Sequence, residues 1–82
     1  MLHIIDMRLV GGYRLWLRFN DGTAGEVDLG AELEGPIFTP LRDPALFSQV
    51  RIDPDVHTIA WPNGADFAPE FLRALVERHV AA

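Results

Sequence analysis

An alternation with a period of two, running through residues 13–19, constrains this chain most. Tyr13, Leu15, Leu17 and Phe19 are apolar while Arg14, Trp16 and Arg18 point the other way, which is the pattern of a strand buried on one face. Ile5, Met7 and Leu9 share the odd parity in an earlier segment, opposed by Ile4, Asp6, Arg8 and Val10. Val27 and Leu29 repeat it in a third, against Glu26 and Asp28. Three such strands in succession predict an antiparallel meander with its odd face on the core.

Parity also selects the turns, because residues directly opposite in an antiparallel pair lie on the same face. A two-residue Asp21-Gly22 loop would set Leu17 against Glu26 and mix the faces. A loop of Asn20, Asp21 and Gly22, with Gly22 left-handed, sets Phe19 opposite Thr23, Leu15 opposite Val27 and Arg14 opposite Asp28. The same reasoning makes Val10-Gly11-Gly12 the first loop and sets Met7 opposite Leu15.

From Gly30 to Gln49 the pattern is irregular. Gly35-Pro36 breaks it, and Asp43-Pro44 reads as an N-cap followed by proline at the first helical position. A short helical turn through Ala45, Leu46 and Phe47 follows, with Ile37, Phe38, Leu41 and Phe47 as pegs into the sheet. Val50 to Ile52 and His57 to Trp61 read as a second β-hairpin around Asp53-Pro54-Asp55. After Pro62-Asn63-Gly64, the residues Phe67, Phe71, Leu72, Leu75, Val76 and His79 recur at helical spacing. Pro69 fits only the first turn of that C-terminal amphipathic helix, which places its start near Ala68. The fold class is α+β in a single domain over residues 1–82.

A chain of 82 residues buries roughly 60 to 65% of the surface its unfolded form exposes, so the core is small. With no cysteine it closes by packing alone, which suits a reducing compartment. The start lacks a secretion signal, no stretch approaches ~18 apolar residues, and the expected location is the cytoplasm, away from membranes. A net charge of −5, with every basic residue an arginine, opposes a phosphate backbone, so direct nucleic-acid binding is not expected.

Three blocks in order resemble the small bacterial family catalogued as domain of unknown function 2442. The first is Phe19, Asp21 and Gly22 followed by Val27-Asp28-Leu29; the second is Gly35, Phe38, Leu41, Asp43 and Phe47. The third, and most specific, runs from Thr58 through Trp61, Pro62, Asn63, Gly64 and Asp66 to Pro69-Glu70 and Leu72. The resemblance implies a compact α+β domain without an assigned reaction, often encoded beside another small protein in toxin–antitoxin-like pairs. Some longer relatives carry a helix-turn-helix segment after this domain, whereas this sequence ends two residues past Val80, so operator binding is not expected to carry over. Arg73 departs from the aromatic residue that relatives often have there.

The chemical inventory is thin. Ser48, the only serine, sits in no strand-to-helix elbow, and no phosphate loop or paired-histidine zinc helix is present. His3, His57 and His79 fall on separate elements, with His57 at a hairpin edge and His79 at the wet end of the helix stripe, facing its C-terminus. No metal and no cofactor are expected. Asp66 follows a glycine turn and precedes a helix, which predicts a carboxylate accepting backbone N–H groups.

The even face carries Arg14, Trp16 and Arg18, a basic-aromatic stripe that could stack nucleobases but should ion-pair with Glu26 and Asp28. A large aromatic there, sharing the face with Ile4 and Val10, needs a cover: the Gly30 to Leu41 connection, or a second chain. The leading reading is a non-enzymatic protein-interaction module, the antitoxin or accessory half of a gene pair, binding a protein partner or itself through Trp16, Ile4, Val10, Arg14 and Arg18. The alternative is a small enzyme or ligand-binding domain centred on Asp66, His57 and Trp61. A DNA-binding regulator is the weaker alternative.

Overall fold

A computed structural model describes residues 1–81, with side chains for residues 1–77. Its first sheet has the order β1-β2-β3, formed by β1 (Ile4–Gly11), β2 (Arg14–Phe19) and β3 (Ala24–Asp28). Between β2 and β3 the register is the one that parity demands: Arg14 opposite Asp28, Leu15 opposite Val27 and Leu17 opposite Gly25. The Phe19 N–H donates to the Thr23 carbonyl at 2.8 Å and Gly22 has φ 91°, so the loop is Asn20-Asp21-Gly22. Asp21 closes it by accepting the Thr23 N–H at 2.9 Å.

The first hairpin differs from expectation. Strand β1 continues to Gly11, which pairs with Arg14, and the loop is Gly12-Tyr13. With one extra residue between Leu9 and Gly11, Leu9 faces Leu15 and Met7 faces Leu17, two residues away from the expected pairing. Two bulges flank this register, one between Ile4 and Asp6 and one between Leu9 and Gly11. A bulge inserts one unpaired residue and reverses the parity beyond it. Ile4 is thereby turned into the core at 2% exposure while Ile5 is left 51% exposed. The expectation that Ile4 shares the outer face with Trp16, and Ile5 the inner, is corrected by that single insertion.

Leu29 leads into a 3₁₀ turn at Gly30–Glu32, and a second 3₁₀ turn at Thr39–Arg42 precedes α1 (Pro44–Phe47). Asp43 caps α1 by accepting the Ala45 N–H at 3.0 Å. Leu33, Leu41 and Phe47 anchor the connection, whereas Ile37 is exposed and is no peg. The second sheet pairs β4 (Arg51–Asp53) with β5 (Thr58–Ala60), and α2 (Pro69–Ala81) closes the fold. The Ala68 carbonyl accepts the Leu72 N–H at 3.2 Å, so α2 starts where Pro69 allows. No helix among the described residues is long and apolar enough to cross a membrane.

The core lies between the inner face of the meander, β5 and α2, with Leu15, Leu17, Phe19, Val27, Ile59, Leu72 and Val76 all buried. Each such aliphatic side chain contributes about 1.5–3 kcal/mol by leaving water. An aromatic series crosses it: Tyr13 meets Phe47, Phe47 meets Trp61, and Trp61 meets Phe67, at centroid distances of 5.2, 5.5 and 5.9 Å. Arg73 on α2 reaches back to the β2–β3 loop, donating to Asp21 at 2.7 Å and pairing with Glu77.

Candidate functional site

Regular pairing of β2 with β3, and with β1 between its two bulges, sets the even residues of β2 on the outer face, in cross-strand rows. Trp16 is at the centre, with Arg8 opposite on β1 and Glu26 opposite on β3. The Arg8 guanidinium carbon sits over the Trp16 ring, 5.2 Å from its centroid, and leaves the ring only partly covered. One row away Arg18 faces Asp6 on β1 and Ala24 on β3, with an ion pair of 3.9 Å to Asp6. In the third row Arg14 faces Asp28, whose carboxylate instead accepts the Gly30 N–H at 2.9 Å. Among the described residues neither Glu26 nor Asp28 ion-pairs with the arginines, contrary to expectation.

This face thus presents Arg8, Arg14 and Arg18 against Asp6, Glu26 and Asp28, three charges of each sign, with Trp16 between them. The connection from Gly30 to Leu41 sends Leu33 and Leu41 into the core on the other side of the sheet. Val10, the unpaired residue of the second bulge, is 44% exposed, and Arg14 and Arg18 are exposed. Ile4, as noted, belongs to the core and not to this surface. Arg8 and Asp6 were missed by the sequence reading. A Gly12-Tyr13 loop by itself would set Arg8 opposite Leu17; the bulge between Leu9 and Gly11 shifts the register by one and puts Arg8 opposite Trp16.

The motif from Trp61 to Asp66 organises the interior. Trp61 is buried and its indole N–H donates to the Phe47 carbonyl at 2.9 Å. The Asn63 amide donates to the Ile37 carbonyl at 2.9 Å while its Oδ1 accepts the Ala65 N–H at 3.1 Å. Gly64 turns the chain at φ 91°, and Pro62 is exposed. Asp66 does not cap α2: its backbone bridges Ala60, and its exposed carboxylate accepts no hydrogen bond among the described residues. That bridge leaves it two residues short of Ala68, the capping position, which corrects the expected role.

His57 occupies the β4–β5 loop with a left-handed φ of 59°, and its ring stacks on His3 at 3.9 Å between centroids. The His57 carbonyl accepts the Ile4 N–H at 3.0 Å, tying this loop to the start of β1. Desolvation, then the His57 ring and the amino terminus, hold His3 below its ordinary value of 6.5. The side chain of His79 lies outside the described residues. Among the described residues no group of His, Asp and Glu gathers as a metal set and no pocket opens. Asp66, His57 and Trp61 are not brought together around a cavity: one is at the surface, one is stacked on His3 and one is sealed in the core.

A family model described as "Protein of unknown function (DUF2442)" matches residues 4–78. No curated protein matches the chain. Among solved structures, the crystal structure of a protein from Nitrosomonas europaea described as a "putative DNA binding protein" is similar over 99% of this chain, with a TM-score of 0.84 and 23% identity. This chain spans 52% of that one, about half its length. At that identity the likeness shows the α+β fold alone.

Proposed function

This chain belongs to the DUF2442 family, and we propose that it is a non-enzymatic protein-interaction module that engages a protein partner in the cytoplasm through the outer face of its meander. The observation that carries this reading is Trp16, a half-buried aromatic at the centre of a sheet face with the Arg8 guanidinium over its ring. Tryptophan and arginine are the residues that most often supply binding energy at interfaces. The surrounding charges of both signs suit a partner of mixed charge, where complementary pairs fix register more than they add affinity. The partner we assign is the product of an adjacent gene, with this chain as the antitoxin or accessory half; resemblance to gene-paired relatives is the support for that part.

Nucleic acid is the competing partner, because of the description given to the structural neighbour. A net charge of −5 and a face with balanced charges argue against a phosphate backbone here. A ligand-binding role at Asp66, His57 and Trp61 finds no cavity among the described residues to support it.

The test is titration of the purified domain against the adjacent gene product and, separately, against duplex DNA at low salt. Binding of the protein that is lost in Trp16→Ala supports the reading. DNA binding that weakens steeply with salt, without protein binding, replaces it with the regulator.

A further inference from the structure

Three phenylalanine rings form a ladder that runs from the interior to the surface. Phe38 stacks on Phe67 with centroids 4.7 Å apart and planes 26° apart, and Phe67 stacks on Phe71 at 5.6 Å and 12°. Phe67 is buried, Phe38 is half-buried, and Phe71, in the first turn of α2, is 39% exposed. Ile37, at 44% exposure, extends the strip beyond Phe38, where its carbonyl accepts the Asn63 amide. Exposed apolar side chains scattered singly need no explanation, whereas a contiguous strip that ends on an exposed aromatic marks a docking surface.

The charge beside this strip has one sign. Asp66 immediately precedes Phe67 and Glu70 immediately precedes Phe71; both are exposed, and neither enters an ion pair among the described residues. The arginines whose side chains are described lie elsewhere: Arg8, Arg14 and Arg18 on the outer face of the meander, Arg42 on the Leu33 carbonyl, Arg51 beside Asp53, and Arg73 between Asp21 and Glu77. A partner that covers the strip must therefore offer apolar side chains together with positive charge. We propose that the ladder of Phe38, Phe67 and Phe71 docks an apolar, arginine-bearing segment of a partner protein, with one guanidinium stacked on Phe71 and paired with Glu70 or Asp66.

Arginine suits this place better than lysine. Its planar, weakly hydrated guanidinium continues a parallel stack while its fork pairs with a carboxylate, whereas an ammonium is a compact and strongly hydrated charge. The same pairing of ring and guanidinium occurs within this chain, where Arg8 sits over Trp16. The two surfaces are separate: the ladder belongs to the side of the sheet that carries the core and α2, and Trp16 to the other. The docking of this segment does not rest on the outer-face reading.

Amide NMR spectra of the full chain, titrated at low salt with a short peptide of alternating leucine and arginine, test it. Signals of Ile37, Phe38, Phe67 and Phe71 are expected to shift, and those of Arg8, Trp16 and Glu26 to stay. Phe71→Ala, or Asp66→Asn combined with Glu70→Gln, is expected to raise the dissociation constant by about tenfold, and Trp16→Ala to leave it unchanged. The matching leucine-lysine peptide is expected to bind several-fold more weakly. Circular dichroism establishes that each variant is folded; should Phe71→Ala unfold, Phe71→Leu, which keeps bulk without a ring, replaces it with the same expectation. Absence of binding, shifts centred on the Trp16 row, folded variants that bind as tightly as wild type, or a lysine peptide that binds equally would each overturn the proposal. Shifts of the ladder residues on concentrating the chain alone would give the strip to a second copy and overturn it as well.

Discussion

Gly25 of β3 passes so closely beneath Val76 of α2 that a Cβ on Gly25 would meet Val76 Cγ1 at 2.8 Å. That approach is nearer than real Cβ contacts allow, and valine, branched at Cβ, has little freedom to move aside. Absence of a side chain on β3 therefore sets how deeply α2 seats on the sheet. Gly25→Ala is expected to destabilise the domain by about 1–3 kcal/mol, the usual range for overpacking. Adding Val76→Ala should recover part of the loss contributed by the clash, as a double-mutant cycle in chemical denaturation would measure. Purely additive effects would mean that the helix does not rest on Gly25.

Trp61 and Asp66 belong to one sequence motif and should respond unequally to substitution. Trp61→Phe keeps a ring in the core but removes the indole donor to the Phe47 carbonyl, which then keeps only the Val50 N–H at 3.2 Å. A loss of about 0.5–1.5 kcal/mol is expected from the missing bond, and the smaller ring adds to it by leaving space in the core. Asp66→Ala removes an exposed carboxylate without a hydrogen-bond partner among the described residues, and should change stability by no more than about 0.5 kcal/mol. Thermal melts of both variants check the pair; a larger effect for Asp66 than for Trp61 would reverse the assignment of roles.

How much of this was legible in the sequence depends on where the strands are regular. Strands β2 and β3 pair without a bulge, so parity fixed their register and the left-handed position of Gly22 correctly. Strand β1 carries two bulges, and at the first of them Ile4 and Ile5 are the same residue type, so nothing in the alternation marks which one turns inward. Arg8 was hidden by the second bulge, since its place opposite Trp16 needs both the Gly12-Tyr13 loop and the extra residue between Leu9 and Gly11. Asp66 misled because residue type favoured a cap while the bridge to Ala60, a long-range contact, fixed its position. The arrangement of His3 on His57 depends on a loop meeting a strand far away in sequence, which local pattern does not encode.

Acid should loosen the contact between His3 and His57. The folded pKa of His3 lies below its ordinary 6.5, so the unfolded chain binds more protons in the interval between the two values. The stability this pair contributes is accordingly present above 6.5 and is lost as pH falls below it toward the depressed folded value. His57→Asn removes the neighbouring ring while retaining a residue that tolerates positive φ. Its melting temperature should depend less on pH between about 7.5 and about 5.5 than that of the wild type. Asp21, held low first by the Thr23 N–H and also by Arg73, acts in a separate window, losing its contribution only as pH falls below 3.8. An unchanged pH dependence in His57→Asn would exclude the stacked pair as its source.

The reading of the outer face rests on Trp16 being available to a partner without being needed by the fold. Paired measurement of thermal stability and partner affinity for Trp16→Ala addresses both halves at once. The account predicts a melting temperature close to wild type, together with an affinity for the adjacent gene product reduced roughly thirtyfold, the effect of losing about 2 kcal/mol at an interface. A variant that binds as tightly as wild type, or one that unfolds, would contradict it and return Trp16 to a purely structural role.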